Sequence, residues 1–247
     1  MRAASHSVPV IAALGPLLAA VGLVALVFSG FAYRFGVWGL HAAFTVFGVA
    51  GWVSGIGALL SLIGLVIVLA AHRGGVMLAT LGLVVGALGA ATFVKWMRTA
   101  KHAVPIHDIT TDVDNPPQFV AVLPLRASAP NPATYGGAEV AALQRQGYPD
   151  VGPLMLPSDP AHVFHAARNV AEHMGWQLVA ADSSAGHIEA TATTRWFGFK
   201  DDIVVRLTPS GNGTRVDVRS ESRLGSSDVG TNAARIRKFL RRLRETH

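Results

Sequence analysis

Between Val8 and Val94 the chain carries only two charged side chains, Arg34 and Arg73. No other feature limits the fold so strongly, because ~20 consecutive apolar residues already suffice to cross a bilayer as a helix. The whole sequence, 51% hydrophobic and 15% charged, is too apolar for an ordinary soluble protein. The stretch divides into three transmembrane spans at about 8–31, 45–71 and 76–97. The first is too long for the apolar core of a cleaved signal peptide. Tyr33–Arg34 closes it, Phe35–Ala43 reads as an interfacial approach, and His72-Arg73-Gly74-Gly75 as a tight turn. Gly51 with Gly55, and Gly82 with Gly86, stand at the four-residue spacing that lets helix backbones approach closely in lipid. No Asp, Glu, Lys or Arg falls mid-span, which argues against a transport path. Three crossings put the two ends of the chain on opposite sides. The count of Arg2, Arg73 and the α-amine against Arg34, Lys95, Arg98 and Lys101 does not decide which side is which. Zero cysteines exclude a disulfide framework and a thiolate metal site.

After the membrane part (1–100), residues 101–152 read as an extended strap and linker. KHAVPIHDITTDVDNPP (101–117) has prolines at 105, 116 and 117, which exclude a helix, and Asx residues that favour local turns. His107 and Asp108 are adjacent and need not face one another as a catalytic pair would. A short strand is expected over Phe119–Leu125, a loop over Ala127–Gly137, and a short helix over about Ala138–Gln146. Residues 153–247 then spell an α+β domain with an antiparallel sheet and two packed helices. Its first helix is capped by Ser158 or Asp159, has Pro160 in its first turn and ends at Gly175. Val163, Phe164, Ala167, Val170, Ala171 and Met174 make its apolar stripe. His162, His165 and His173 lie on or near the polar side, and a lone His-x-x-His is a weak metal signal best read as solvated surface. Four strands follow at 176–181, 187–194, 203–207 and 215–222, the last two joined by a Ser-Gly-Asn-Gly turn. A final helix from about Thr231 to Arg244, capped by Asp228 or Thr231, buries Ile236, Phe239, Leu240 and Leu243.

Polar residues interrupt this apolar pattern from Glu189 to Ile236. Alternation puts Ser220 and Ser222 on the face of Val216 and Val218, with Arg206, Arg215, Asp217, Arg219 and Glu221 on the other. Arg223, Gly225, Ser226, Ser227 and Asp228 lead into a helix start, where backbone N–H groups and the dipole can hold an anion. The plainer reading is that Asp228 caps the helix and the serines satisfy loop backbone. Asp201 and Asp202, adjacent on a strand, point to opposite faces and cannot line one cleft without a bulge. One of them can pair with Arg223 or Arg219. Trp196, Phe197 and Phe199 read as core or rim anchors.

EATATTRWFGFKDD (189–202) followed by VDVRSESRLGSSDVGTNAARIRKFL (216–240) resembles the bacterial family called domain of unknown function 1499. LQRQGYPD (143–150), MGW (174–176) and PIHDITTDVDNPP (105–117) extend the likeness to about residues 105–243, and the membrane part resembles the multi-span branch. The resemblance implies no activity and no cofactor. It implies a residue pattern: Phe199, Asp201, Asp202, Arg219, Ser220, Ser222, Arg223, Gly225, Ser227, Asp228, Gly230, Asn232 and Arg235. It also implies a multi-pass protein of the bacterial inner membrane with a cytoplasmic N-terminus and an extracytoplasmic C-terminal domain. Some branches carry a cysteine where this chain has Pro116.

Hydrolase, zinc-protease and P-loop signatures are absent, and no metal or cofactor is implied. The expected function is that of a membrane-anchored envelope protein whose α+β domain binds a partner protein or a small or lipidic ligand without catalysis. The candidate ligand-binding or structural cluster is Asp201, Asp202, Arg219, Ser220, Ser222, Arg223, Ser227, Asp228, Asn232 and Arg235. The alternative is an envelope hydrolase or transferase, with Asp201 or Asp202 as base and Arg219 or Arg223 steadying an oxyanion. It requires an Asp, an Arg and one of Ser220, Ser222 or Ser227 to converge in an open pocket. Of the net charge of +6, six Lys/Arg and one Glu lie from Arg235 onward, so the basicity belongs to the last helix. Arg237, Lys238, Arg241 and Arg244 are therefore expected to meet anionic lipid or an acidic membrane-protein partner. Nucleic acid is not expected, since no readout motif accompanies them.

Overall fold

The computed structural model describes residues 10–246, so Arg2, the start of the first expected span at Val8, and His247 lie outside the described residues. The described residues form two compact units, one of residues 10–101 with Trp196–Gly198, the other of residues 102–195 with 199–246.

The first unit holds three helices long and apolar enough to cross a membrane: α1 (Val10–Arg34), α2 (Leu40–Ala70) and α3 (Val76–His102). Two boundaries differ from expectation. Helix α2 begins at Leu40 rather than Thr45, because Gly39 supplies an extended residue ahead of it and nothing before Thr45 breaks a helix. The Thr45 hydroxyl donates to the His41 carbonyl one turn back at 2.9 Å, within α2 rather than at its start. Helix α3 runs past Met97 to His102, since Lys95, Arg98 and Lys101 are good helix formers and Pro105 is the first breaker.

Glycine sets the helix spacing. A Cβ on Gly57 would stand 2.3 Å from the Ala19 amide nitrogen, and one on Gly86 2.7 Å from that of Ala58. Gly82 fits against Pro16 and Gly51 against the Phe93 ring, whereas Gly55 meets only Ala90 at van der Waals distance. Trp196 and Phe197 belong to this unit. The Trp196 indole donates to the Val27 carbonyl at 2.8 Å, and Phe197 stacks on Phe44.

The second unit is built on one antiparallel sheet of six strands, as the alternation implies, with two short strands joining the four expected after residue 175. They are β1 (Asp108–Thr110), β2 (Leu154–Leu156), β3 (Gln177–Asp182), β4 (His187–Thr193), β5 (Lys200–Ser210) and β6 (Gly213–Ser222). The order is β1-β6-β5-β4-β3, and β2 lies beside β1 along the same edge of β6. Turns at Ser183–Gly186 and Gly211–Asn212, with Gly186 and Gly211 at positive φ, join β3 to β4 and β5 to β6, and residues 194–199 join β4 to β5. Helices α5 (Pro160–His173) and α6 (Thr231–Glu245) cover one face, and α4 (Gly137–Gly147) precedes them. Asp159 caps α5 by accepting from the amides of Ala161 and His162. Phe164, Ala167, Ile203, Val205, Val218, Ile236 and Phe239 fill the core on that face, where Trp176 stacks on Phe239 at 5.1 Å.

The expected strand over Phe119–Leu125 does not form. A 3-10 turn occupies Leu123–Arg126, and Phe119 and Val122 pack on Val204 from the opposite face of the sheet. The reason is Glu189, whose carboxylate accepts from three consecutive amides, Val120 (2.8 Å), Ala121 (2.9 Å) and Val122 (2.9 Å). Three successive N–H groups turned onto one acceptor cannot also alternate along a ladder.

Gly57→Ala is expected to lower the SDS concentration at which the helical unit unfolds, because a methyl group there meets backbone. Gly48→Ala, where a Cβ would have nothing within 4 Å, leaves the midpoint unchanged or raised; circular dichroism in mixed micelles reads both.

Candidate functional site

Strands β5 and β6 carry polar side chains to both faces, and the two adjacent aspartates separate as strand geometry requires. On the helix side, Asp201 pairs with Arg235, which also bonds Asn232 and donates to the Ser220 hydroxyl at 2.9 Å. Ser220 donates to Asn232 Oδ1 at 2.8 Å. The Asn232 amide in turn donates to Ser222 Oγ at 3.0 Å and to the His107 carbonyl at 2.9 Å. Asp228 accepts from the backbone amides of Gly230 and Asn232, so the helix start that could have received an anion is already filled by the chain's own carboxylate. Burial pushes the Asp228 carboxyl up, against the pull of those two amides. Ser227 donates to the Val104 carbonyl at 2.8 Å and receives the Val229 amide.

On the other face Asp108, Arg126, Asp202, Arg219 and Glu221 are buried, and Arg223 is partly exposed. Arg219 has no exposed surface. Its Nε donates to Asp108 Oδ1 at 2.9 Å and its Nη2 to Asp108 Oδ2 at 2.7 Å, with further bonds to the carbonyls of Ala133 and Pro117. The guanidinium lies 4.7 Å from the centre of the Phe119 ring. Arg126, from the 3-10 turn, grips Glu221 through both nitrogens at 2.9 and 2.8 Å and stands 3.5 Å from Asp202. Arg223 grips Asp202 at 2.8 Å twice and donates to the Leu125 carbonyl; Thr191 donates to the same carboxylate at 2.8 Å. Three guanidiniums thus meet three carboxylates. Burial and the neighbouring Asp108 push the Glu221 carboxyl up to about 7, against Arg126 and Arg219. Burial, with Asp108, likewise lifts the Tyr135 phenol to about 12. For Glu189, burial alone would raise the carboxyl, but His187 and the three amides outweigh it and hold it below its ordinary value.

Every member of the expected cluster is therefore placed, but not in one cavity. Asp201, Ser220, Ser222, Asn232 and Arg235 form the helix-side network, with Asp228 and Ser227 beside it. Asp202, Arg219 and Arg223 belong to the strap-side network. At 2% and 0% exposure, Asp201 and Asp202 are buried and held by Arg235 and by Arg126 and Arg223, whereas a general base has to lie within hydrogen-bond reach of a substrate. Four members had no strong sequence signal. Glu221 shares the face of Arg219 by alternation; Asp108, Arg126 and Glu189 find their partners only through the fold.

Removing one member should be costly. Arg126→Met leaves Glu221 and Asp202 short of a counter-charge, an expected loss of about 3–5 kcal/mol. Glu221 also gives a pH signature. Its folded-state pKa lies above the ordinary value of 4.5, so the native state holds this proton through the window from about 4.5 to 7 while the unfolded chain releases it. The stability of the native protein should fall across that window relative to Glu221→Gln, as measured by denaturation of both at several pH values. A difference that is flat with pH contradicts the assignment.

Comparison with curated proteins finds no significant match. The model of one family, described as "Protein of unknown function (DUF1499)", matches residues 108–243, a span that contains every charged side chain of both networks. The chain belongs to that family.

Proposed function

We propose that this is a non-catalytic binding protein of the bacterial envelope, held in the inner membrane by α1–α3, with its C-terminal domain outside the cytoplasm. Its binding surface is the exposed face of α6. The observation that carries this reading is a contrast in how charge is used. The buried Asp, Arg and Ser groups are committed to one another, whereas Lys238, Arg241 and Arg244 are exposed and take no ion-pair partner among the described residues. Arg237 leaves this row: it grips Asp150 at 2.6 Å twice and lies over the Tyr148 ring, so its charge is already matched. Three free cations on one helix suit anionic lipid headgroups, each adding about 1 kcal/mol near a charged surface.

The full chain in nanodiscs tests this through the rate at which Lys238 is acetylated. Labelling should slow at least severalfold when anionic lipid replaces neutral lipid, recover in high salt, and lose its lipid dependence in Arg241→Gln/Arg244→Gln. Equal labelling in both lipids excludes the headgroup reading, and protection that appears only when other membrane proteins are present points to an acidic partner instead. Sidedness is checked separately: a reporter fused after His247 should be active outside the cytoplasm, and activity confined to the cytoplasm reverses the orientation.

A further inference from the structure

We propose that the groove between α5 and α6 binds a zwitterionic aminoalkyl phosphate, the chemistry of an ethanolamine phosphate. Arg242 and the α5 histidines take the phosphate, and Glu245 takes the ammonium. The site is distinct from the Lys238–Arg241–Arg244 row and does not rest on the reading of that row.

The groove encloses about 500 Å³, within the range of small-molecule sites. His162, His165, Asn169 and His173 supply one wall, at the three- and four-residue spacing that places side chains on one helix face. Arg242 and Glu245 supply the other, one turn apart and so about 5–6 Å between their Cβ atoms. Neither forms an ion pair with the other or with any described residue, which leaves one cation and one anion lining the same open volume. Ala166 and Val170 give the groove a carbon floor.

This lining selects among ligands. A simple anion would meet Arg242 but be repelled by Glu245, and a simple amine the reverse. A molecule with phosphate and ammonium two carbons apart satisfies both at once. The histidines add polar contacts of either sense. His173 Nδ1 is bonded to the Asn169 carbonyl at 2.7 Å, which leaves its Nε2 to accept from an ammonium or, when the ring is charged, to donate to a phosphate. Among the described residues no three His, Asp or Glu side chains come together as a metal ion would need, so the histidines are better matched to an organic ligand. The N–H groups of a primary ammonium can also donate to Glu245, whereas a trimethylated amine offers it charge without a hydrogen bond.

The test uses the full chain, labelled at histidine, in nanodiscs of phosphatidylcholine. O-phosphoethanolamine, inorganic phosphate and O-phosphocholine are titrated while the ring resonances of His162, His165 and His173 are followed. O-phosphoethanolamine should move these three and bind about tenfold tighter than either control. Arg242→Gln should weaken it about tenfold, and Glu245→Gln should abolish the preference over O-phosphocholine. Glu245 is exposed and Arg242 half-buried, and an unchanged circular dichroism spectrum confirms the fold. Equal affinity for all three probes, a preference that survives Glu245→Gln, or shifts confined to other histidines would each overturn the proposal. Repeating the titration with phosphatidylethanolamine in the disc assigns the source: competition with the free probe identifies a lipid headgroup, its absence a soluble metabolite, and either upholds the site.

Discussion

The bond between the Arg219 guanidinium and the Asp108 carboxylate governs how the soluble unit is assembled. Arg219 projects from β6, which pairs with β5 on one side and with β1 and β2 on the other, so the charge sits in the middle of the sheet. Desolvating such a group costs several kcal/mol, and only a well-placed counter-charge with further acceptors offsets it. Asp108 supplies the counter-charge from β1, and the carbonyls of Pro117 and Ala133 complete the shell. The segment from Asp108 to Tyr135 therefore has to lie on this face. The result is a sheet with a large apolar core and one polar network, around Asp201 and Arg235, on its helix side, and with three guanidinium–carboxylate contacts beside a small apolar patch on its strap side.

That asymmetry explains what sequence patterns reveal and what they conceal. Helices α5 and α6 and the β5–β6 hairpin are legible because their signals are local: an apolar stripe at helical spacing, Asp159 before Pro160, alternation up to a Gly-containing turn. The separation of Asp201 from Asp202 follows from strand geometry alone. The strap is different. Val120–Leu125 has strand-like composition, yet its amides answer to a carboxylate 67 positions away in sequence at Val122, and Arg126 answers to Glu221 at a separation of 95. No local rule connects such positions. The short strands β1 and β2 are hidden for a similar reason, since each exists only as an addition to the edge of β6.

In the membrane unit the existence of the helices is fixed by apolar length, but their ends are not. Backbone hydrogen bonding continues through interfacial residues until a turn or proline stops it, so hydropathy marks the apolar part of each helix rather than the whole. Glycine spacing finds the close approaches at Gly51, Gly82 and Gly86, and it also selects Gly55, which turns out to stand in looser contact.

The balance of three guanidiniums and three carboxylates on the strap side constrains how such a sequence can change. Asp108, Arg126 and Asp202 come from three separate places in the chain, whereas Arg219, Glu221 and Arg223 are alternate residues of one run along and just past β6. Replacing any one leaves an unmatched charge in a closed space, while replacing a matched pair by apolar groups of similar volume can be neutral. Substitution at these six positions is therefore a coordinated affair, and single steps between two acceptable sequences pass through a destabilised intermediate. Electroneutrality binds residues 108 to 223 into one unit of inheritance even where they are remote along the chain.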